Sequence, residues 1–137
     1  MRRPPFSLEF SNSHFYTAKR GIEVPVTLIS DRSRSVEVMA SLDTGSTYCT
    51  FEKECATILG LALTSGIETK MATATGSFYC YGHELTLSVF DLEWQSVVYF
   101  AEMEAFAVNV VGRMGFLDRV QIGIVDYEHL LYLGLYE

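Results

Sequence analysis

Apolar and polar residues alternate through much of this chain with the two-residue period of half-buried β-strands, and turn residues punctuate the runs. The stretches "HFYTAKRG" (14–21) and "IEVPVTLIS" (22–30) read as two strands meeting at a turn at Gly21. "DRSRS" (31–35) is a polar turn, and "VEVMASLD" (36–43) is the next strand, ending on Asp43. "FEKECATILGL" (51–61) mixes apolar and charged residues with no Gly or Pro before Gly60. That pattern suits a helix with a glycine stop. "IETKMATA" (67–74) and "SFYCYG" (77–82) then read as a hairpin around Thr75-Gly76. The β pattern continues through "HELTLSVFDLEW" (83–94) and "QSVVYFAEME" (95–104), and "FAVNVVG" (106–112) reads as a buried strand closed by Gly112. "RMGFLDRV" (113–120) has the makings of two helical turns, weakened by Gly115. "QIGIVDYE" (121–128) and "LLYLGLYE" (130–137) are the last two strands, with a short turn near Glu128-His129. The pattern is all-β with one or two short helices.

Length and charge narrow the functional classes. The 137 residues fit one domain, 1–137, and a chain of this size buries roughly two-thirds of its unfolded surface. Apolar residues make up 49%, which marks a globular chain and not a disordered one. The net charge of -7 argues against nucleic acid or an anionic membrane as partner, because both select basic surfaces. No apolar run approaches the roughly 20 residues that span a bilayer. "MRRPPFSLEF" places prolines and a Glu where a signal peptide needs an apolar core, so a cytoplasmic location is expected. Cys49, Cys55 and Cys80 are odd in number and lack C-x-x-C spacing, which fits buried free thiols in a reducing compartment. His14, His83 and His129 lie in unrelated segments without metal spacing, so no metal and no cofactor are expected.

The strand that ends on "LDTGS" carries the most pointed chemistry. An Asp at the end of an apolar strand must be solvated, paired or used, and Thr44-Gly45 after it mark a tight turn. A rigidly held carboxylate is a plausible catalytic group, and a turn residue is the plain alternative. Elsewhere the familiar signatures are missing. There is no G-x-S-x-G elbow, no P-loop and no dinucleotide fingerprint.

Taken in order, Asp43-Thr44-Gly45-Ser46 after an apolar strand, a helix, a glycine-tipped hairpin and "NVVGRMGFLDRVQIG" resemble the retropepsins, the single-lobe aspartic proteases. The resemblance runs from about residue 20 to the C-terminus. It implies a closed β-barrel of the acid-protease type with a flap hairpin, and a homodimeric endopeptidase acting on peptide or protein substrates. Carried over by position, Asp43 matches the catalytic aspartate, Thr44 the threonine that braces the two loops across the dimer, and Gly45 the glycine beside substrate backbone. Ser46 and Thr47 follow in the substrate-binding stretch, and Ala74, Thr75, Gly76 and Ser77 fall where the flap closes. Val110, Val111 and Gly112 match the apolar-apolar-Gly element packed behind the catalytic loop. Arg113 matches an arginine that in retroviral members pairs with an acidic residue, but here that position is Thr47.

Two further expectations follow from the resemblance. Ser46 is expected to donate a hydrogen bond to the outer oxygen of the Asp43 carboxylate and so draw the pH profile toward acid. The C-terminal "IVDYEHLLYLGLYE" is long enough to fold back as its own hairpin instead of exchanging strands with a partner. Two other readings compete with the protease. One is a catalytically silent retropepsin-fold module for dimerisation or peptide binding. The other is an unrelated small β-barrel in which Asp43 is only a turn residue.

Overall fold

The computed structural model describes residues 2–17, 19, 21–31, 33–106 and 108–136. Among these residues, ten strands and one short α-helix follow one another: β1 (Asn12–Phe15), β2 (Glu23–Asp31), β3 (Arg34–Leu42), β4 (Thr50–Phe51), α1 (Lys53–Ile58), β5 (Ile67–Thr73), β6 (Gly76–Val89), β7 (Leu92–Ala101), β8 (Val110–Val111), β9 (Val120–Val125) and β10 (Leu130–Leu135). The period-2 pattern does what it should. Val24, Val26 and Leu28 of β2, Leu85, Leu87 and Val89 of β6, and Val98 and Phe100 of β7 are all buried in one core, while the residues between them along each strand are more exposed.

Seven strands form one sheet in the order β2-β3-β8-β4-β7-β6-β5, and Thr27–Ile29 of β2 also pair with Thr86–Ser88 of β6, which brings the sheet round on itself. The other three form a smaller sheet, β1-β10-β9. The C-terminal segment does fold back as an antiparallel hairpin, Leu130 opposite Val125 and Leu135 opposite Val120, turning through His129 at φ +56°. The hairpin at Thr75-Gly76 is present too, with Thr73 paired to Gly76 and Ile67 to Gly82. Helix α1 stops as expected, with Gly60 at φ +71° just beyond it.

The structure departs from the sequence reading in four places. Gly21 does turn the chain, at φ +85°, but β1 and β2 are not a hairpin. β1 ends at Phe15 and pairs with β10, whereas β2 pairs with β3; Ala18 and Arg20 of the expected strand lie outside the described residues. The β pattern expected through "HELTLSVFDLEW" is interrupted at Phe90-Asp91, where Phe90 takes φ +57° between the paired Val89 and Leu92. "FAVNVVG" yields only the two residues of β8; Val108 is exposed and Ala107 lies outside the described residues. Finally, 113–120 is not helical. Gly115 sits at φ +101°, off the helical path, and the segment closes on itself through Leu117 N–H to Gly112 O and Asp118 N–H to Arg113 O, both 3.0 Å. Its aromatic side chain, Phe116, is fully buried against Trp94.

Strand β8 is short because it is threaded. It lies between β3, with which it runs parallel, and β4, with which it is antiparallel. The backbone of the loop that follows Asp43 comes so close that there is no room for a side chain at Gly112. A Cβ there would stand 2.5 Å from the carbonyl oxygens of both Ser46 and Tyr48. The backbone of that loop cannot yield as a flexible side chain would. Gly112→Ala is therefore expected to lower stability by about 1–3 kcal/mol, the cost of overpacking a closely packed site. The check is the midpoint of denaturant unfolding, and an unchanged midpoint would mean that the loop is free to move away from Gly112.

Candidate active site

Asp43 follows directly on β3, whose apolar residues anchor it while its own side chain is exposed. Its backbone is not free. The Asp43 N–H donates to Val111 O at 3.0 Å, so the carboxylate stands on the end of β8 as much as on β3. The turn that follows is fixed locally: Ser46 N–H donates to Asp43 O at 3.1 Å, and Gly45 N–H donates to Asp43 Oδ1 at 2.9 Å. The second bond is an Asx turn, which holds the carboxylate in one orientation. The far side of the loop is tied to the chain leaving β8, through Arg113 N–H to Ser46 O (2.9 Å) and Met114 N–H to Thr47 O (2.8 Å).

Asp43, Thr44, Gly45, Ser46 and Thr47 thus come together with Val110, Val111, Gly112 and Arg113 in one stitched unit. Val111 is fully buried behind the loop. Thr44, Thr47, Arg113, Met114 and Leu117 border an open hollow beside it, with Met114 54% exposed. Arg113 forms no ion pair among the described residues, in keeping with Thr47 standing where an acidic partner is lacking. A Cβ at Gly45 would meet Asp43 Oδ1 at 3.3 Å, so glycine keeps the space above the carboxylate open.

The expected bond from Ser46 to the carboxylate is not made. The Ser46 hydroxyl donates instead to Tyr48 O at 2.8 Å, and the backbone N–H of Gly45 occupies the carboxylate. The physical reason is local. The turn's own backbone carbonyl lies two residues on, within reach of a short hydroxyl side chain, and such local bonds are favoured.

Ala74, Thr75, Gly76 and Ser77 form the exposed end of the β5–β6 hairpin, with Ala74 and Thr75 as its turn. The turn is held internally by Thr73 Oγ1 donating to Gly76 O at 3.0 Å. Gly76 takes φ +152° in open space. The shaft of the hairpin, and not its tip, touches the rest of the chain: Thr50 Oγ1 lies 3.6 Å from Met71 Sδ, and Phe78 stacks on Phe106 with ring centroids 5.0 Å apart.

Sequence reasoning passed over several supporting residues. Cys49 lies under the loop, where its thiol sulfur accepts the Gly112 N–H at 3.4 Å and faces Met114 O at 3.5 Å. Burial pushes that thiol up to about 11, so it stays protonated at neutral pH. Asn109 and Glu52 bond to each other beside β8, and the only sequence signal was one amide in an otherwise apolar run. Among the described residues no group of three or more His, Cys, Asp or Glu side chains could hold a metal ion, and no helix is long and apolar enough to cross a membrane.

Comparison with known proteins falls on structure. No family model and no curated protein matches the sequence. Among solved structures, the chain is similar to a retropepsin-like aspartic protease from Rickettsia conorii. The TM-score is 0.65 at 20% identity, over 89% of this chain and 98% of that one. It is also similar to the protease of EIAV in complex with the inhibitor HBY-793, with a TM-score of 0.54 at 15% identity, over 72% of this chain and 86% of that one. Likeness at this identity speaks to fold, and activity has to rest on the chemistry of the site. With β8 threaded behind a loop that begins at Asp43, the β5–β6 hairpin at the edge of the sheet and these two likenesses, the chain has the retropepsin-like fold.

Proposed function

We propose that this chain is an aspartic endopeptidase in which two Asp43 carboxylates, one from each subunit of a homodimer, activate water for hydrolysis of a peptide bond. The observation that carries the reading is the mounting of Asp43. Its side chain is exposed, yet its backbone and one carboxylate oxygen are fixed by Val111 and Gly45. A turn residue that only had to be solvated would need no such support.

The chemistry asks for two carboxylates a few Å apart. They share one proton, because like charges at that distance cannot both ionise. One takes a proton from the water while the other donates a hydrogen bond to the scissile carbonyl. The chain carries one Asp-Thr-Gly, so a two-fold axis beside Asp43 supplies the second carboxylate. The open hollow bordered by Thr44, Thr47, Arg113 and Met114 adjoins that loop and offers the partner's loop a place to rest. In this reading Thr44 braces the pair, and the exposed turn Ala74–Ser77 closes over an extended peptide and excludes water. Buried Cys49, Cys55 and Cys80 fit a reducing compartment such as the cytoplasm.

Asp43→Asn removes the base while keeping the Asx turn's shape. It is expected to abolish cleavage of a peptide library by the purified protein, with the circular dichroism spectrum and unfolding midpoint kept. Cleavage by the variant at the wild-type rate would show that Asp43 is not the base and would overturn this reading.

Ser46 gives an independent check on the pH dependence. Its hydroxyl serves Tyr48 O and not the carboxylate, so Ser46→Ala should leave both limbs of the pH–rate profile in place. Its cost should be stability alone, about 1 kcal/mol for one neutral hydrogen bond. A profile shifted toward neutral pH would show that the hydroxyl turns to the dyad in the assembled enzyme.

A further inference from the structure

Strand β8 is held by very few ladder contacts. It has two residues, Val110 and Val111; on the β3 side both are paired, but on the β4 side only Val110 is, opposite Thr50. A two-residue strand with one pairing on a flank is weakly fixed in register on that flank. The position of Val111 O nevertheless decides where Asp43 N–H, and with it the carboxylate, can sit.

Asn109, half-buried immediately before β8, supplies what the ladder lacks. Its backbone carbonyl accepts Ser41 N–H at 2.8 Å on the β3 side. Its side chain reaches the other way, to Glu52, the residue that opens α1 just after β4. Asn109 Oδ1 accepts the Glu52 backbone N–H at 3.0 Å, and Asn109 Nδ2 donates to Glu52 Oε2 at 3.0 Å. The orientation of the amide is fixed by chemistry, since a backbone N–H only donates and a carboxylate only accepts. The bond to the carboxylate is also charge-assisted, the stronger kind. Two bonds from one planar group to one residue fix rotation as well as distance. Asn109 thereby clasps the start of β8 to both flanking strands, two residues before the carbonyl that holds Asp43.

We propose that Asn109, through its paired bonds to Glu52, is a positioning residue that sets β8 and so aims the Asp43 carboxylate. This rests on the protease reading for its consequence in catalysis, but its structural half does not. A staple with a purely structural role would lower stability when cut and leave the site's geometry unchanged in the molecules that remain folded. A positioning residue would disturb the Asp43 loop first.

The test is a polarity swap. N109D keeps the acceptor for Glu52 N–H but sets a carboxylate against the Glu52 carboxylate. E52Q keeps an acceptor for Asn109 Nδ2, so alone it should lose less. Combined, N109D/E52Q restores one donor facing one carboxylate, with the roles exchanged. Two readouts are taken at a temperature where all the proteins are folded: kcat and KM on a peptide that the wild type cleaves, and hydrogen exchange of the Asp43 amide by NMR. N109D is expected to lower kcat by about ten- to a hundredfold, the scale of displacing a catalytic group by up to an ångström, with KM little changed. Asp43 amide protection should fall with it, while the core amides of Val26 and Leu87 hold theirs. The double variant should recover most of both losses. Should N109D not fold, N109A, which removes both bonds without adding a charge, takes its place for the two readouts.

If the wild type cleaves nothing, the protease reading fails and the exchange data alone decide this one. The proposal is overturned if Asp43 protection is unchanged in the folded variant, if every amide loses protection equally, or if the double variant is no better than N109D.

Discussion

The hydrogen bond from Asp43 N–H to Val111 O is the contact on which the rest of this structure turns. It joins the end of one strand to a segment 68 positions further along the chain. For it to form, β8 must enter between β3 and β4, and nearly every unusual feature nearby serves that passage. Gly112 has no side chain because the carbonyls of Ser46 and Tyr48 occupy the space. Cys49 takes up the Gly112 N–H, which the sheet leaves without a backbone partner at that point. Past Gly112 the chain folds into tight turns that seat Phe116 in the core, and the indole of Trp94 and the hydroxyl of Ser96 both donate to Gly115 O.

That threading explains how an exposed carboxylate can be rigid. Exposed side chains on ordinary turns choose among rotamers freely, and a catalytic group that does so loses much of its advantage. Asp43 is held from behind by a buried strand and from the side by the Gly45 amide, while its outer face stays open. The hairpin, by contrast, meets the body of the chain at its shaft, through Met71 and Phe78, and leaves Ala74–Ser77 without such anchorage. In the proposed reading, a fixed carboxylate and a lightly held hairpin turn divide the work as lid-covered hydrolytic sites require.

The sequence made some of this legible and not the rest, for physical reasons. The strand before Asp43, the glycine-tipped hairpin and the end of α1 at Gly60 were readable because each depends on a local backbone preference. The turn at Phe90-Asp91 was hidden, since it has no glycine and Phe90 adopts its left-handed φ only because the β6–β7 ladder on either side requires it. The partnership of β1 with β10 is a contact between the two ends of the chain, which no local pattern encodes. Residues 113–120 carried helical spacing, yet the need to bury Phe116 beside Trp94 after a glycine at positive φ overrode it. At the site, the identity of the Asp43 loop could be read. The direction of the Ser46 hydroxyl and the clasp between Asn109 and Glu52 could not, because both are set by where neighbouring backbone lies in space.

The central claim is that one chain supplies half a catalytic site. The most direct measurement mixes wild-type chains with Asp43→Asn chains in equal amounts, unfolds and refolds them together, and compares the activity with that of the same total of wild type. If hydrolysis needs both carboxylates, only wild-type pairs are active, and random pairing leaves about a quarter of the activity. Retention of about half would mean that each chain works alone, and would contradict the shared dyad.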